Sequence, residues 1–250
     1  MKKSIKIISV IMSALIIVLA FSACSVKSDK QKTTLKMATN ATFPPYEFIE
    51  NGEISGIDVD IANAVAEKLG MKLEIEDTEF DSIVTGVQSG KYDMGMAGMS
   101  VTPERLKNVN FSTSYATGIQ AIIVKEGSSI KGPDDLTGKK LGVQQGTTGW
   151  IYACEDFGDE NVVAYKSGPD AVSALKTGKI DAVIIDNEPA KSYVAANTGL
   201  VVLEAKYAEE EYSIAVAKNN DELLKKINGA LAEMKDDGSL DKIIAKYIKA

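Results

Sequence analysis

The chain has 250 residues, 45% hydrophobic and 25% charged, which is typical of a globular protein and excludes a disordered one. Its 28 lysines and arginines stand against 35 acidic residues, a net charge of −7, which argues against a nucleic-acid binder because that function needs a basic face. There is no histidine, which excludes Ser-His-Asp and Cys-His catalysis and histidine metal ligands. We expect no metal site and no cofactor.

The first 23 residues are predicted to be a signal peptide rather than part of the fold. A positive start with three lysines precedes residues 7–20, which are apolar except for two serines and too short for a comfortable membrane span. Small residues precede Cys24, as in a lipobox, although Phe21 stands where leucine is usual. We therefore expect cleavage before Cys24 and its lipidation, with palmitate among the acyl chains. The alternative is a plain secretory signal cleaved near Ala23.

Residues 24–33 are polar and without a pattern, which is typical of a flexible tether. Two acyl chains on Cys24 suffice for stable anchoring. We therefore expect the protein at the extracytoplasmic face of the cell membrane, at the surface of a Gram-positive bacterium or in the periplasm otherwise. A lipidated Cys24 leaves Cys154 without a disulfide partner, so Cys154 is expected to be a small buried or half-buried residue.

The remaining sequence alternates between strand and helix patterns. In chain order, the spacing predicts a strand at 34–39, a proline loop at 43–46, a helix at 58–69, a strand at 72–75, a helix at 81–88 and a strand at 92–99. A second block predicts a strand at 141–145, a helix from about 149, a strand at 162–164, a helix at 170–175 and a strand at 181–185. The chain closes with a strand at 212–217 and helices at 221–236 and 240–247. This order predicts two α/β lobes with parallel strands.

Ligands of parallel sheets bind beyond the carboxyl ends of the strands, and Arg105 follows one of them. It is the single arginine beside 27 lysines. Bidentate hydrogen bonding to a carboxylate requires the planar guanidinium group of arginine. Ser100, a few residues earlier, adds a hydroxyl donor for the same oxygens. The alternative is a surface arginine without a role.

Other residues at strand ends complete a site for a zwitterion. Asp186 ends an apolar strand and suits an ammonium group, with a helix N-cap as the alternative. Thr148 opens a helix whose free N–H groups suit an anion, unless the turn is a simple cap. Phe43 and Phe80 are either aromatic walls or ordinary core. Together these residues offer a carboxylate grip, an ammonium grip and apolar faces.

Five motifs, in this order, carry a resemblance to a known family. They are NATFPPYEF (40–48), GIDVDI (56–61), AGMSVTPER (97–105), GVQQGTT (142–148) and DAVIID (181–186). Residues 34–250 resemble the extracellular solute-binding proteins, family 3, of ABC importers for polar amino acids. The resemblance implies the periplasmic-binding-protein-like type II fold, with two α/β lobes joined by a two-strand hinge near Ala116–Ile119 and Tyr212–Ser213. Lobe 1 would comprise 34–116 plus 214–250, and lobe 2 would comprise 117–213.

The resemblance also implies how a ligand is held. Arg105 would bind the ligand carboxylate with help from Ser100 and Thr148. Asp186 and the carbonyl of Gly98 would take the ammonium, while Phe43 and Phe80 enclose the side chain.

Two positions bear on the identity of the ligand. Basic-amino-acid binders often have aspartate where Asn40 stands, and glutamine binders often have lysine where Gln144 stands. A neutral polar, glutamine-like amino acid is therefore favoured over a basic one, and cystine or an acidic amino acid follows. Glu47 could still serve a cationic tip, so arginine and lysine stay open.

Two other functions are weighed against amino-acid capture. An enzyme on the same fold, such as a cyclohexadienyl dehydratase or a cell-wall lytic relative, needs a general acid or base, and only carboxylates are available here. A ligand-sensing domain would be fused to a signalling module, and none follows before Ala250. We therefore expect a monomeric binding protein, not an enzyme, whose partners are an L-amino acid and the permease subunits of an ABC transporter.

Overall fold

The computed structural model of the chain describes residues 33–203 and 207–249. The predicted signal peptide, the lipidation site Cys24 and nearly all of the predicted tether lie outside the described residues. Within the described part, no helix is long and apolar enough to cross a membrane. Cys154 is half-buried and carries a free thiol.

The elements alternate along the chain much as the hydrophobic spacing predicts. In chain order the strands are β1 (Thr34–Thr39), β2 (Thr42–Phe43), β3 (Glu47–Glu50), β4 (Glu53–Ser55), β5 (Lys72–Asp77), β6 (Met94–Gly95), β7 (Val109–Phe111), β8 (Ala116–Lys125), β9 (Leu141–Gln144), β10 (Val162–Tyr165), β11 (Ala182–Asp186), β12 (Leu200–Val202), β13 (Ala208–Tyr212) and β14 (Ala215–Ala217). The α-helices are α1 (Ile57–Lys68), α2 (Phe80–Gln88), α3 (Pro103–Asn108), α4 (Thr148–Phe157), α5 (Gly168–Lys176), α6 (Asn187–Ala195), α7 (Asp221–Asp236) and α8 (Ser239–Tyr247).

The first sheet contains strands from both ends of the described chain. Its order is β5–β1–β6–β14–β7. Strand β1 runs parallel to β5 and β6, as the alternation of strands and helices predicts, whereas β14 is antiparallel to β6 and β7. Helix α1 buries the apolar stripe that its spacing predicts, because Ile57, Ile61 and Val65 are all inaccessible to solvent.

The second sheet is built entirely from residues between the two halves of the first. Its order is β10–β9–β11–β8–β12, and β13 also pairs with β8. Strands β10, β9 and β11 are parallel, whereas the ten-residue strand β8 is antiparallel to β11, β12 and β13. The spacing of apolar residues does not predict β8, because it is buried along most of its length and its apolar run has no period of two.

Three predictions need correction. The loop expected at 43–46 is partly strand, since β2 ends at Phe43 and pairs with β3 in a small antiparallel sheet. The strand expected at 92–99 is only Met94–Gly95. This strand ends early because the N–H of Gly98 donates to the carboxylate of Asp58 at 2.9 Å instead of to a neighbouring strand. Gly98 has a φ of 53°, which is not a strand conformation.

The single strand expected at 212–217 is also wrong, because the chain changes sheets within it. Tyr212 pairs with Ala116 in the second sheet, and Ala215 pairs with Phe111 in the first. Between them, the N–H of Ser213 donates to the carbonyl of Met99 at 3.0 Å. A second crossing connects β7 to β8. The two crossings lie where the resemblance places the hinge.

Gly56 generates a prediction about the fold. It precedes α1 with a φ of 133°, and a β-carbon there would lie 2.1 Å from the carbonyl oxygen of Tyr46. We expect Gly56→Ala to lower the free energy of unfolding by about 3 kcal/mol, because both the backbone conformation and the packing oppose a side chain. Urea unfolding followed by circular dichroism measures this change.

Gly229→Ala is the matched control. Gly229 lies on α7, and an added β-carbon would have nothing within 4 Å. This variant should raise the free energy of unfolding by about 1 kcal/mol, which is the difference in helix propensity between glycine and alanine. If the Gly56→Ala variant were as stable as the wild type, the backbone could move away from Tyr46, and the close approach would not be required.

Candidate ligand-binding site

The structure brings the nine predicted ligand-binding residues together around one cleft. They are Asn40, Phe43, Phe80, Gly98, Ser100, Arg105, Gln144, Thr148 and Asp186, and Glu47, Ala97 and Thr147 complete the lining. Most of them follow or end a strand, as expected for a ligand site at the carboxyl edge of a sheet. Of the nine predicted residues, the six from Asn40 to Arg105 belong to the segments that precede β8. Gln144, Thr148 and Asp186 belong to the second sheet and its helices.

Arg105 is buried on the short helix α3, where the Thr102 hydroxyl caps the helix by accepting the N–H of Arg105 at 3.2 Å. Its guanidinium donates to the carbonyls of Ser100 and Gly146, the latter at 2.9 Å. The group also lies 5.2 Å from the centre of the Phe80 ring. Burial lowers the pKa of Arg105 to about 10, so the group stays charged at neutral pH. Both of these bonds go to neutral carbonyls, and the nearby charges of Glu210 and Asp186 favour the charged guanidinium without a hydrogen bond to it.

Glu210 is a buried carboxylate that sequence reasoning missed. It lies on β13, where its oxygens accept from the Thr148 hydroxyl at 2.8 Å, the Tyr152 hydroxyl at 2.9 Å and the Gln120 amide at 3.0 Å. The only sequence signal is the alternation on β13, which places Glu210 on the same face as buried Tyr212. Glu210 stands within an acidic run, and the composition of this run resembles that of an exposed segment.

Asp186 ends β11 as predicted and is buried. It accepts hydrogen bonds from the Gln120 amide at 2.9 Å and from the Tyr212 hydroxyl. Burial, together with the nearby charge of Glu210, raises the pKa of Asp186 to about 7, although the hydrogen bonds from Tyr212 and Gln120 oppose the shift. Asp186 occupies the N-cap position of α6, as the alternative has it, but its side chain makes no capping hydrogen bond there. A cation beside Asp186 would favour its ionised form.

Glu47 and Asp58 are two further buried carboxyls, and Glu47 is part of the cleft lining. Glu47 begins β3, is 1% exposed, and neither of its oxygens receives a hydrogen bond from a described residue. Burial and the neighbouring Asp58 hold the pKa of Glu47 well above its ordinary value. Burial raises the pKa of Asp58 to about 6, even though the Gly98 N–H and the Tyr115 hydroxyl each donate to it at 2.9 Å. Two such carboxyls titrate as one coupled pair.

Asn40 and Gln144 contact each other across the cleft. The Gln144 amide donates to the Asn40 oxygen at 2.8 Å, and the Asn40 amide donates to the carbonyl of Thr78 at 2.8 Å. Further out, the Gln145 amide donates to the Asp81 carboxylate at 2.8 Å. The bonds from Gln144 to Asn40 and from Gln145 to Asp81 join the two sides of the cleft.

Aromatic side chains form the walls of the cleft. Phe43 approaches the backbone of Gly98 so closely that a β-carbon on Gly98 would lie 2.8 Å from the ring. Glycine is required there by the packing and by its φ of 53°. Phe80 begins α2 and faces the guanidinium of Arg105. Within the described residues, no cluster of acidic and cysteine side chains is arranged to hold a metal ion.

Comparison with known proteins identifies the family. Residues 35–250 match the model for bacterial extracellular solute-binding proteins, family 3. The chain belongs to this family. It is 36% identical to the arginine-binding extracellular protein ArtP of Bacillus subtilis, over 92% of this chain and 93% of ArtP. It is 33% identical to the L-cystine-binding protein TcyJ of Escherichia coli K12, over 88% of this chain and 85% of TcyJ.

Solved structures support the same assignment. An ancestral arginine-binding protein bound to glutamine is 45% identical, with a TM-score of 0.84, and the match covers 88% of this chain and all of that one. The arginine-, lysine-, histidine-binding protein ArtJ of Geobacillus stearothermophilus is 35% identical, with a TM-score of 0.83, over 87% and 96% of the two chains.

Membership of family 3 confirms the predicted fold class, a type II fold with two α/β lobes joined by a two-strand hinge. The chain is an extracytoplasmic amino-acid-binding protein of the ABC transporter class. Its relatives are substrate-binding transport proteins rather than enzymes.

The carboxyl of Asp186 predicts a dependence of stability on pH. Its pKa is about 7 in the folded chain against an ordinary value of 3.8. The neutral carboxyl therefore stabilises the fold fully below about pH 4, and this contribution is lost as the pH rises through about 7. In Asp186→Asn the titration is absent. Without added amino acid, the free energy of unfolding of the variant should rise by on the order of 4 kcal/mol relative to that of the wild type between pH 4 and pH 8.

Urea unfolding at several pH values measures this difference. Asp181→Asn is the matched control, because Asp181 precedes the same strand but is exposed, so this variant removes no buried carboxyl. A stability difference between the wild type and Asp186→Asn that stays constant over the range would contradict the raised pKa of Asp186.

Proposed function

We propose that the chain captures a basic L-amino acid, with arginine as the preferred ligand, and delivers it to the permease of an ABC importer. The observation that carries the preference is Glu47, a buried carboxyl in the lining of the cleft whose oxygens receive no hydrogen bond from a described residue. A guanidinium or ammonium group at the tip of the ligand would supply those missing donors.

The charge balance of the cleft supports the same preference. The buried charged side chains of the described part are Glu47, Asp58, Arg105, Asp186 and Glu210. They comprise four carboxyls against one guanidinium. A neutral amino acid brings no charge on its side chain, whereas the positive tip of a basic amino acid can balance one of these carboxyls in its ionised form.

We assign the roles of the individual residues in the same way as the sequence predicts. Arg105 takes the ligand carboxylate, because within the described residues its guanidinium donates only to two backbone carbonyls, and neither Glu210 nor Asp186, whose charges act on it, is bonded to it. Asp186 takes the ammonium, because a cation is what lowers the free energy of a carboxylate at that buried position. Phe43 and Phe80 then enclose the aliphatic part of the side chain.

Glutamine is the second candidate. The amide side chains of Asn40 and Gln144 favour a neutral polar ligand in the sequence, and the structure shows them already bonded to each other. The structure of an ancestral arginine-binding protein bound to glutamine supports glutamine as a candidate. Several other relatives carry arginine in their names, which supports arginine as the first choice.

Closure of two lobes is the proposed mechanism of capture. We assign 34–116 plus 214–250 to lobe 1 and 117–213 to lobe 2. A ligand that contacts Arg105 in lobe 1 and Asp186 in lobe 2 binds the closed form more tightly than the open form, so it shifts the population toward closure. The closed monomer then docks on the permease.

The location follows from the N-terminal sequence. We propose that Cys24 is lipidated, with palmitate among its acyl chains, and that the lipid is the only contact of the protein with the membrane. This rests on the small residues before Cys24 and on the polar segment after it.

A titration with the twenty amino acids plus cystine tests the function. Trp150, the only tryptophan, lies on α4 two residues after Thr148 and reports binding by its fluorescence. We expect arginine to bind most tightly, at about micromolar dissociation constants or below, which corresponds to about −8 kcal/mol. Bound ligand should also raise the unfolding temperature by mass action. A folded protein with no response to any amino acid would contradict the proposed function.

Arg105→Lys completes this test. Lysine keeps the charge but loses the two-point grip, so every amino acid should bind at least tenfold more weakly. The matched control is Lys107→Arg on the same helix, where the exposed side chain pairs with exposed Glu104, and affinity should not change. Binding by the Arg105→Lys variant within about threefold of the wild type, roughly 0.65 kcal/mol, would show that Arg105 does not hold the carboxylate.

The lipid anchor is tested by Cys24→Ser in the full chain. We expect the wild type in the membrane fraction with an acylated N-terminus by mass spectrometry, and the variant released from the membrane. Cys154→Ser is the matched control and should stay in the membrane fraction, because Cys154 lies on α4. A wild type that is released and carries an unmodified N-terminus would support the plain secretory signal instead.

A further inference from the structure

We propose that Glu47 and Asp58 form a proton-exchange pair, in which a basic amino acid enters the cleft as one proton leaves, whereas a neutral amino acid enters with the proton retained. The inference rests on the proposed amino-acid capture and deepens it, because it names how the site distinguishes ligands of different charge. The geometry of the two buried carboxyls carries it.

The pair has more acceptor oxygens than donors. Glu47 is 1% exposed and Asp58 is inaccessible to solvent. Both donors that reach Asp58, the Gly98 N–H and the Tyr115 hydroxyl, go to Oδ2 at 2.9 Å. Apart from each other, Asp58 Oδ1 and both oxygens of Glu47 have no hydrogen-bond partner among the described residues, and the two carboxyls lie within hydrogen-bonding reach of one another. One proton on Glu47 turns an acceptor into a donor and removes one of two buried negative charges.

The surroundings also favour a retained proton. The charged neighbours that act on Glu47 are all carboxylates: Asp58 on α1, Asp77 at the end of β5 and Asp186 at the end of β11. The ionisable hydroxyls packed around the pair belong to Tyr46, Tyr115 and Tyr193, and burial and nearby carboxylates raise the pKa of each, so they stay neutral. Burial and these charges raise the pKa of Glu47 well above its ordinary value.

Exchange requires that Glu47 is accessible from the cleft, and its place in the cleft lining meets this condition. As the cationic tip of arginine or lysine reaches Glu47, the O–H bond of its carboxyl breaks and the proton passes to the bulk buffer. No covalent bond forms, and the ligand N–H groups replace the lost donor. A glutamine side chain brings no charge, so the proton stays on the pair and the carboxyl can donate to the amide oxygen of the ligand.

Asp186 also titrates near neutrality, with a pKa of about 7, and a ligand ammonium would displace its proton as well. Every amino acid brings the same ammonium group to that position. The contribution of Asp186 is therefore common to arginine and glutamine, and the difference between the two ligands isolates the Glu47–Asp58 pair.

Isothermal titration calorimetry of the mature chain measures this difference. Arginine and glutamine are each titrated in phosphate and in Tris at about pH 6.5 to 7.5, because the heats of ionisation of the two buffers differ and yield the number of protons exchanged. We expect arginine to release about one proton more than glutamine. The ratio of arginine to glutamine affinity should rise with pH by up to about tenfold per unit.

Glu47→Gln keeps the size of the side chain but cannot ionise. In this variant, the extra proton and the pH dependence of the affinity ratio should disappear, and the ratio should fall at least tenfold. Glu50→Gln is the matched control, because Glu50 ends the same strand and is exposed, and it should leave the proton count and the ratio unchanged. If glutamine binds too weakly to titrate, the comparison is made with arginine alone. The number of protons released when arginine binds the wild type is then compared with the number released when it binds the Glu47→Gln variant.

The outcomes separate this inference from the proposed function. Equal proton release for arginine and glutamine, with a flat affinity ratio, would overturn the exchange and leave amino-acid capture intact. Binding of glutamine without arginine would overturn the exchange together with the preference for a basic ligand. Failure of every amino acid to bind would overturn capture itself.

Discussion

The structure depends on the burial of Tyr212 at the point where the chain passes from the second sheet to the first. Its ring packs edge-on against Tyr46 at 5.1 Å between centroids, and lies 6.4 Å from Tyr115. Its hydroxyl donates to Asp186. Gly118 leaves room for the ring, since a β-carbon there would lie 2.4 Å from it. One side chain thus connects the crossing between the sheets with the carboxyl assigned to the ligand ammonium.

A buried excess of carboxyl groups is the second organising feature. Proteins usually pair or neutralise buried carboxyls. Here Asp186 and Glu210 share the amide of Gln120, at 2.9 and 3.0 Å, while Glu47 and Asp58 lie together with few donors. Such an arrangement lowers the stability of the protein at neutral pH, and the same arrangement makes the cleft attractive to a positive group. Stability and affinity are therefore in opposition at this site.

The sequence predicts the parts of the fold that depend on local spacing and misses those that depend on distant pairing. The helix at 221–236 matches its predicted bounds, because one apolar stripe specifies it. The strand predicted at 212–217 fails, because nothing local shows that Tyr212 and Ala215 pair in different sheets. The nine predicted site residues meet at one cleft, whereas Glu210 was missed because burial of an acidic residue is decided by the partners that tertiary structure brings to it.

The nesting of the two sheets has a consequence for the order in which they can form during synthesis. All strands of the second sheet lie between Ala116 and Tyr212, so its pairing is complete as soon as β13 has emerged. The first sheet has to wait, because β14, at Ala215–Ala217, lies between β6 and β7. Three strands made early can pair, but β7 has no neighbour in its sheet until β14 emerges, shortly after β13. The sheet that begins first along the chain is thus completed after the second one.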